Sequence, residues 1–533
     1  MMKRFPPLFL LAVLLLCGLC KAKADVFFVA FTDKDSCGCS LSQPQQFLTQ
    51  RALDRRAAAN ISVDSLDLPV TPAYLRQIKA AGGYVLNVSR WFNGASVRIN
   101  DSVAYHAIEA LPFVKSMECT QYDSWGVNAP RHYSVPLERT TADRITSAQL
   151  FAQMNLQPLH TAGFRGGGKV VAIIDGGFPG VNNTSPFDSV RPRILGTKNY
   201  AYPGQSVYAN SLDHGSRVLS VMAGKKSDIS GDIYGTAPDA SYYLLLTEIT
   251  EKESPLEMDN WVAAVEYADS LGVDVCSTSL GYFYFDNYEF DLSYAMMDGR
   301  STRSSLAATL AAHRNMLIVN AVGNEGLSGW HYITTPSDAE DILGVGAVDI
   351  RGVHANFSSY GPSSDQRVKP DLSALGVDCP LSDGSGTITT SNGTSFACPA
   401  LAGAATSLWS ALPHLTALEL RQLLIEHASQ YLNPDDELGY GIPDIYESYL
   451  AMLETGVEEV DHATMMLLSK KDVVFYQIPA SGQVKVFNNQ GIEMECFHVE
   501  HGVGRLDISA WPNGLYFFRY SNGQTTVTEK FIK

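Results

Sequence analysis

The sequence is poor in cysteine, has no run of basic residues and, beyond its first two dozen residues, contains no long hydrophobic stretch. Nine cysteines in 533 residues are too sparse for a disulfide scaffold. The formal net charge of −17 argues against a nucleic-acid partner, because phosphate binding needs a basic surface. No internal repeat or low-complexity tract is evident. The length therefore predicts a globular protein of two to four units.

The N-terminus has the order of a secretory signal peptide. Two basic residues precede an apolar run from about Leu8 to Leu19, and residues 22–24 read Ala-Lys-Ala. This order predicts removal of the signal after Ala24. A membrane anchor is the alternative, although the apolar run is shorter than the roughly 20 residues that a spanning helix needs. Lipid attachment at Cys20 is disfavoured by the bulky Leu19 before it.

Seven cysteines remain once the signal peptide is removed. Cys37 and Cys39 lie too close together for a zinc site without partners, and no second pair of cysteines or histidines has suitable spacing. One of the two can pair with Cys119 or stay reduced, and the sequence leaves both alternatives open.

Residues 25 to about 120 predict a small α/β unit. Its strands are expected at 26–31, 84–88, 95–99 and 113–118, and its helices at 45–58, 71–81 and 103–111. The polar stretch from 121 to about 142 contains two prolines and reads as a linker.

From about residue 150 onward, short β-branched runs alternate with helices. Strands are expected at 170–175, 242–246, 273–280, 316–322 and 342–348, with helices beginning near residues 214, 259 and 304. This alternation predicts a parallel sheet covered by helices on both faces. Functional groups of such sheets collect at the carboxyl ends of the strands.

Residues 464–533 have a different pattern. Alternating runs such as VVFYQI, QVKVFN and LYFFRY are separated by glycine- and asparagine-rich turns. They predict antiparallel strands joined by tight turns, and hence a small β-sandwich.

The segment 392–403, NGTSFACPALAG, predicts a helix that begins near Ser395. We expect Pro399 in the first turn, where its missing N–H costs little. Unpaired N–H groups and the positive end of the helix dipole then surround Ser395 and favour negative charge. On its own, Ser395 reads as an ordinary helix cap.

Three further polar residues lie at the ends of elements in the same region. Asp175 ends the strand 170–175, His214 opens a helix, and Asn324 lies in the tight loop after the strand 316–322. Singly they read as a turn aspartate, a structural histidine and a turn asparagine. Together with Ser395 they supply a nucleophile, its base, a group that orients the base, and an oxyanion donor.

The motifs IDGGF, DHGSRV, SLG, AVGNEG and NGTSFACPALAG, with GTAPDA at 235–240, resemble those of subtilisin-like serine peptidases in order and approximate spacing. The resemblance covers about residues 150–450. It implies a three-layer α/β fold. It also implies that Asp175 orients the base, His214 is the base and then the acid, and Ser395 is the nucleophile. Asn324 and the Ser395 N–H would form the oxyanion hole.

The resemblance further implies that Ser279, Leu280 and Gly281 pair with an extended substrate backbone, so that the substrate is a polypeptide. Some positions depart from the family pattern. Gly176 stands where the family usually has Thr or Ser, Ser216 and Arg217 replace Thr and His, and Phe396 replaces Met. Cys276 and Cys398 lie close to the motifs, and we expect both to be packing residues.

The segment 282–299 is aromatic and acidic. Its rings are expected either to wall a substrate subsite or to pack as a surface loop. Asp286, Asp291 and Asp298 could hold calcium. No oxygen-ligand motif with defined spacing occurs, so no cofactor and no metal site are assigned.

Both flanks also resemble known domains. Residues 25 to about 120 resemble the propeptide of this family, which implies an intramolecular chaperone and inhibitor. The tail resembles the C-terminal sorting domain of the type IX secretion system of Bacteroidetes, with a protein- or carbohydrate-binding sandwich as the alternative. The predicted divisions are a signal peptide (1–24), propeptide and linker (25–145), peptidase domain (146–455) and sorting domain (456–533).

These features predict a serine endopeptidase that is secreted or held at the cell surface after passing the periplasm of a Gram-negative bacterium. Its expected partners are polypeptide substrates, its own propeptide and the secretion machinery, with no nucleic acid. The alternative is an inactive binding or adhesion protein with the same fold.

Overall fold

The computed structural model describes residues 25–122, 145–228, 231–454, 466–470, 473–478, 480–500, 502–523 and 525–533. The predicted signal peptide and residues 123–144 of the linker region lie outside these ranges. In the part of the chain described, no helix is both long enough and apolar enough to cross a membrane.

The N-terminal unit is a four-stranded antiparallel sheet with the strand order β2-β3-β1-β4. Helices α2 and α3 pack on it through buried Ile78, Ala104 and Ile108. The helix expected at 45–58 is shorter, because the Thr49 side chain accepts from the Ala52 N–H and caps a later start. The elements are β1 (Asp25–Phe31), α1 (Gln50–Ala58), α2 (Pro72–Ala80), β2 (Tyr84–Ser89), β3 (Gly94–Ile99), α3 (Ser102–Glu109) and β4 (Val114–Gln121).

The central unit is built on a seven-stranded sheet in which every strand is parallel to its neighbours. The strand order is β13-β12-β11-β10-β5-β9-β6. This confirms the predicted parallel α/β fold. The strands are β5 (Val170–Asp175), β6 (Ile194–Asn199), β9 (Ser241–Leu246), β10 (Val275–Thr278), β11 (Leu317–Ala321), β12 (Leu343–Val348) and β13 (Leu372–Leu375).

Alternate residues of these strands enter two separate cores, one on each face of the sheet. Val171 and Ile173 lie in the core with α6 (His214–Ala223) and α9 (Thr394–Ala411). Ala172 and Ile174 lie in the core with α7 (Pro255–Leu271) and α8 (Arg303–Ala312). The sheet is therefore covered on both sides, as a parallel sheet requires.

Helix α7 begins four residues before the predicted start near Asp259. Ser254 and Glu257 form a reciprocal capping box, and Pro255 occupies the first helical position. This combination satisfies the free N–H groups of the first turn, so the helix extends back to Pro255.

The other elements of the central unit surround this frame. They are α4 (Ser147–Gln153), α5 (Gln157–Thr161), β7 (Lys225–Asp228), β8 (Gly231–Tyr234), β14 (Cys379–Ser382), β15 (Ile388–Ser391), α10 (Ala417–Glu426) and α11 (Ile445–Glu454). Single 3₁₀ turns occur at Pro44–Gln46, Ser185–Phe187, Arg191–Arg193, Tyr288–Phe290 and Tyr294–Met296.

Pro399 does not lie in the first turn of α9, and that prediction was wrong. The helix begins at Thr394, so Pro399 is its sixth residue. A proline there cannot donate to the carbonyl four residues earlier, which belongs to Ser395. That carbonyl instead accepts a hydrogen bond from Ser279 Oγ over 2.8 Å. A side chain from another element therefore replaces the missing helical bond.

The C-terminal residues form two antiparallel sheets with the orders β16-β17-β20 and β19-β18-β21-β22. Val474, Val484, Val486 and Phe518 belong to their shared core, so the predicted sandwich is confirmed. The strands are β16 (Met466–Lys470), β17 (Val473–Ile478), β18 (Gly482–Asn488), β19 (Glu493–Val499), β20 (Gly502–Asp507), β21 (Leu515–Ser521) and β22 (Thr526–Ile532).

The N-terminal unit contacts α7 through buried polar groups. Asp269 of α7 is fully buried and forms ion pairs with Arg55, Arg56 and Arg90. Glu266, one turn earlier, accepts from Ser89 Oγ of β2 and from the backbone N–H groups of Arg90 and Trp91 in the turn after β2. The unit is thus held to the central domain by buried ion pairs and hydrogen bonds between the two parts, and Arg56 is also paired with Asp67 of its own unit.

All seven cysteines in the described residues are free, including Cys37, Cys39 and Cys119. Cys398 is fully buried in the core between α9 and the sheet, and Cys276 is fully buried in the core on the opposite face of the sheet. Burial raises the pKa of the Cys398 thiol to about 12. Both residues therefore pack, as predicted.

Candidate active site

Asp175 and His214 lie next to each other at the carboxyl end of the sheet. Asp175 is the last residue of β5 and is fully buried, and His214 is the first residue of α6. His214 Nδ1 and Asp175 Oδ1 are 2.7 Å apart. Because a carboxylate only accepts, the imidazole hydrogen lies on Nδ1, which leaves Nε2 as the basic nitrogen.

The two carboxylate oxygens of Asp175 differ in their partners. Oδ1 also accepts from the Gly176 N–H over 2.7 Å. Oδ2 is buried and has no hydrogen-bond partner among the described residues. A Cβ atom at position 176 would lie 2.5 Å from a methyl carbon of Leu212. The Leu212 side chain therefore occupies the space that a side chain at position 176 would need. With glycine there, Asp175 lacks the hydroxyl donor that Thr or Ser at this position would offer.

The Asn324 side chain is fixed by its contacts with Thr394. Asn324 Oδ1 accepts from the Thr394 N–H over 2.9 Å and from Thr394 Oγ1 over 3.0 Å. These bonds use the oxygen of the amide, so its two N–H donors are left for other partners. Ser395 is the second residue of α9, where a backbone N–H has no partner within the helix.

The predicted site residues line a single cleft with a volume of about 480 Å³. The structure brings together in its walls Asp175, His214, Asn324, Ser395 and the segment Ser279-Leu280-Gly281. The segment directly follows β10, and the bridge Tyr282–Thr335 anchors the chain just after it.

The surroundings of His214 favour its protonated form. Burial acts to lower the pKa of His214, but the charge of Asp175 and the hydrogen bond to it raise this pKa above its ordinary value. The Phe396 ring lies 5.9 Å from the imidazole ring and walls the same cleft. The site thus holds a base whose pKa is lowered by burial and is brought above its ordinary value by the buried carboxylate of Asp175.

The other departures from the family pattern have local partners. Ser216 is buried and donates to the Pro179 carbonyl over 2.7 Å. Arg217 forms an ion pair with Asp213 over 3.0 Å and reaches the cleft wall. Neither residue displaces a predicted catalytic group.

The sequence analysis missed three glutamates in the cleft wall: Glu248, Glu253 and Glu257. One carboxylate oxygen from each of the three lies within 4.8 Å of those of the other two. Burial and the neighbouring carboxylates raise the pKa of Glu248 to about 7 and that of Glu253 to about 8. The sequence signals were the position of Glu248, two residues beyond the end of β9, and for Glu257 the capping-box pattern Ser254-x-x-Glu257.

The acidic residues of segment 282–299 do not form the proposed calcium group. Asp291 Oδ1 accepts from the Phe285 N–H, and Asp298 Oδ1 accepts from the N–H groups of Arg300 and Ser301. Among the described residues, the glutamate trio is the one carboxylate group with metal-like spacing.

The aromatic residues of this segment mostly pack on neighbouring rings. Phe283 lies 4.9 Å from Trp330, and Tyr294 stacks on Tyr332 at 4.0 Å. Phe290 stacks on Tyr122 of the N-terminal unit at 5.2 Å. The segment therefore behaves as a packed surface loop that also meets the end of β4.

Three family models match the chain. The subtilase family matches residues 166–441, which is more than half of the chain. The peptidase S8 propeptide domain of Bacteroidota matches residues 26–133, and the secretion system C-terminal sorting domain matches residues 470–533. The last two match the flanks that the sequence predicted as propeptide and sorting domain.

Proteins with similar sequences support the match to the subtilase family. The thermostable alkaline protease of Halalkalibacterium halodurans is 27% identical over 289 residues, 54% of this chain and 70% of that protein. Subtilisin NAT of Bacillus subtilis subsp. natto is 27% identical over 295 residues, 55% of this chain and 69% of that protein. Among solved structures, MycP1 from Mycobacterium smegmatis aligns with a TM-score of 0.47 and 19% identity, over 60% of this chain and 89% of that one. The chain belongs to the subtilase family and is a subtilisin-like serine endopeptidase.

Proposed function

We propose that Asp175, His214 and Ser395 form the catalytic triad and that the enzyme cleaves polypeptides through an acyl-enzyme. The observation that carries the proposal is the convergence of the bonded Asp175–His214 pair and Ser395 in the walls of one cleft. The three residues come from distant parts of the chain. A structural role for each of them would not require them to share a cavity.

In the first half of the reaction, Ser395 Oγ attacks the carbonyl carbon of the scissile bond while His214 Nε2 takes its proton. The oxygen of the tetrahedral intermediate then carries a negative charge. Asn324 Nδ2 and the Ser395 N–H supply its hydrogen bonds. His214 next gives the proton to the departing amine, which leaves an ester on Ser395.

In the second half, water replaces the amine. His214 takes a proton from the water as the oxygen attacks the ester carbonyl. It returns that proton to Ser395 Oγ when the carboxylic acid product leaves. Asp175 stays ionised throughout and stabilises the imidazolium in both halves. Ser279, Leu280 and Gly281 hold the substrate backbone along the cleft wall.

A fluorophosphonate probe tests this assignment, because it labels only an activated serine. We expect the mature protein to be labelled and Ser395→Ala to remain unlabelled. No labelling of the mature protein, or equal labelling of Ser395→Ala, would refute the triad. It would favour an inactive binding protein with the same fold.

The N-terminal unit is proposed to act as an intramolecular chaperone and inhibitor that is cut away. Support comes from its buried contacts with α7 and from the end of β4, which reaches the cleft rim. There, Ser254 Oγ donates to Gln121 Oε1, and Lys252 Nζ donates to the Tyr122 carbonyl. We expect a cut between about Cys119 and Arg144. A secreted form that begins at Asp25 on N-terminal sequencing would refute this.

The C-terminal sandwich is proposed to direct export across the outer membrane from the periplasm. The match to a secretion sorting domain and the signal-like N-terminus support this route. Deletion of residues 464–533 is expected to leave an active enzyme in the periplasm. Normal export of the truncated protein would count against it.

A further inference from the structure

The wall of the cleft contains carboxylates from three separate segments. Glu248 follows β9, Glu253 and Glu257 flank the start of α7, and Asp286 comes from the segment 282–299. We call these four residues the acidic subsite. They share the cleft with the predicted triad, so a substrate that reaches Ser395 also meets this group.

The glutamates of the acidic subsite lack the cations that accompany other buried acids of this protein. Asp269 pairs with three arginines, and Asp259 pairs with Arg303. No Lys or Arg ion pair to Glu248, Glu253 or Glu257 is formed within the described ranges. An acidic group without a cationic partner can still bind a cation, since the attraction between the two charges would offset the free-energy cost of burying the acid.

Asp286 points independently to a ligand. Its Oδ2 accepts from the Glu253 N–H over 3.1 Å, whereas its Oδ1 is buried and without a hydrogen-bond partner among the residues that the structure describes. The Glu253 carboxylate likewise has no hydrogen bond within that part of the chain. Buried polar atoms are normally satisfied, so Asp286 Oδ1 has room for a donor from a bound molecule, and the half-buried Glu253 carboxylate is also open to one.

The contacts of the N-terminal unit indicate which part of a polypeptide chain lies next to the acidic subsite. The Tyr122 carbonyl accepts from Lys252, next to Glu253, and the Tyr122 ring stacks on Phe290, four residues after Asp286. Residues 123–144 of the predicted cleavage region follow. Because Tyr122 lies near the N-terminal end of the predicted cleavage region, the acidic subsite is expected to face residues on the N-terminal side of the cleaved bond.

We propose that the acidic subsite binds a Lys or Arg side chain of the substrate, on the N-terminal side of the scissile bond. The proposal rests on the peptidase function above. It defines the substrate class as polypeptides with a basic residue a short distance before the cleaved bond.

The hydrogen bonds already formed favour an organic cation over a metal ion. Both oxygens of Glu257 accept from backbone N–H groups, over 2.7 and 3.0 Å, and Glu248 Oε1 accepts from Tyr282 and Thr247. The oxygens of the acidic subsite that accept no hydrogen bond within the described residues belong to different carboxylates. An ammonium or guanidinium group carries several N–H donors and can bond to each in turn.

Matched internally quenched peptides test the proposal. In one neutral sequence, the second, third or fourth residue before the cleaved bond is Arg, Lys, Gln or Met. With the enzyme freed of its propeptide, we expect kcat/KM at one position to be at least about tenfold higher for Arg or Lys than for Gln or Met. Glu253→Gln should bring this ratio close to one, because it removes charge but no hydrogen bond seen among the described residues.

Glu251→Gln is the matched control. Glu251 lies in the same loop but is exposed and accepts from Tyr202 OH rather than facing the cleft. Its substitution should leave the ratio as in the wild type. Equal cleavage of basic and neutral peptides by the wild type, or a preference that survives Glu253→Gln, would overturn the proposal. So would a preference that needs added calcium and disappears with a chelator.

The same assay separates this proposal from the peptidase function. If the wild type hydrolyses neutral peptides but prefers no basic residue, only the acidic subsite is refuted. If no peptide is hydrolysed and no fluorophosphonate label appears, the peptidase assignment itself fails.

Discussion

The hydroxyl of Ser279 donates a hydrogen bond to the backbone carbonyl of Ser395 over 2.8 Å. Pro399 is the reason that this carbonyl is available, because it provides no N–H at the position that would normally bond to it. The bond connects the segment after β10, which is predicted to hold the substrate, directly to the backbone of the predicted nucleophile. The positions of the two are therefore coupled.

This coupling predicts non-additive effects on stability. Ser279→Ala leaves a buried carbonyl without a donor and should lower the free energy of unfolding by about 1–3 kcal/mol. Pro399→Ala restores an N–H four residues after Ser395, so it should recover part of that loss in the double variant. Urea unfolding of a double-mutant cycle in the Ser395→Ala background, which avoids self-cleavage, measures the coupling. Strictly additive losses would contradict it.

The Asp175–His214 pair predicts a specific pH dependence. Because Asp175 raises the pKa of His214, kcat/KM should increase with pH and reach half its maximum above the ordinary histidine pKa of about 6.5. Asp175→Asn removes the charge, so the midpoint should move down while kcat falls about 10⁴-fold. Asp213→Asn provides the comparison, since that carboxylate is paired with Arg217 and should shift the midpoint less. An unchanged midpoint in Asp175→Asn would contradict the role of the pair.

The contacts of Asn324 allow its two functions to be separated. Asn324→Asp keeps an acceptor for the Thr394 N–H and hydroxyl but loses the amide donor. We expect kcat to fall by about 10²–10³-fold or more with little change in melting temperature. Asn324→Ala should lose both activity and stability, because Thr394 also loses its acceptor. If Asn324→Asp retains wild-type kcat, Asn324 is not an oxyanion donor.

Asp269 is predicted to hold the N-terminal unit on the central domain. Asp269→Asn leaves buried Arg55 and half-buried Arg90 short of a full negative charge, whereas Arg56 keeps its pair with Asp67, and losing one partner of a buried ion pair typically costs about 3–5 kcal/mol. In the Ser395→Ala zymogen, backbone amides of α1 and β2 should then exchange with solvent faster. Asp239→Asn is the control, because its pair with Arg165 is exposed and should contribute less than about 1 kcal/mol. Equal exchange in both variants would rule out Asp269 as the anchor.

The sequence predicted most strands of the central sheet and the site residues at the carboxyl ends of those strands. Asp175 ends one apolar strand and Asn324 lies in the loop after another, and parallel strands bring their carboxyl ends to one edge. The motif around Ser395 identified a helix start correctly. Its exact first residue was not predictable, because the bond that relieves Pro399 comes from Ser279, more than a hundred residues away. Local propensity contains no information about such a partner.

The glutamates and the buried arginines were harder to recognise for a related reason. Glu257 reads as an ordinary capping residue, and Arg55 reads as the exposed side of an amphipathic helix. The role of each residue becomes clear only from its contact with another segment. Glu257 lies close to Glu248, and Arg55 forms an ion pair with Asp269. A single sequence does not specify those neighbours.

Glu253 is predicted to make folding stability depend on pH. Burial, followed by the charges of Glu248 and Asp286, raises the pKa of Glu253 to about 8 from the ordinary 4.5. Between these pH values the unfolded chain releases a proton that the folded chain retains, so stability falls as the pH rises. Glu253→Gln removes this loss. In the Ser395→Ala zymogen, its melting temperature should therefore exceed that of the parent by a margin that grows from pH 5 to pH 8. The exposed Glu251→Gln variant should show no such growth, and a margin for Glu253→Gln that is the same at both pH values would contradict the burial of an uncompensated charge.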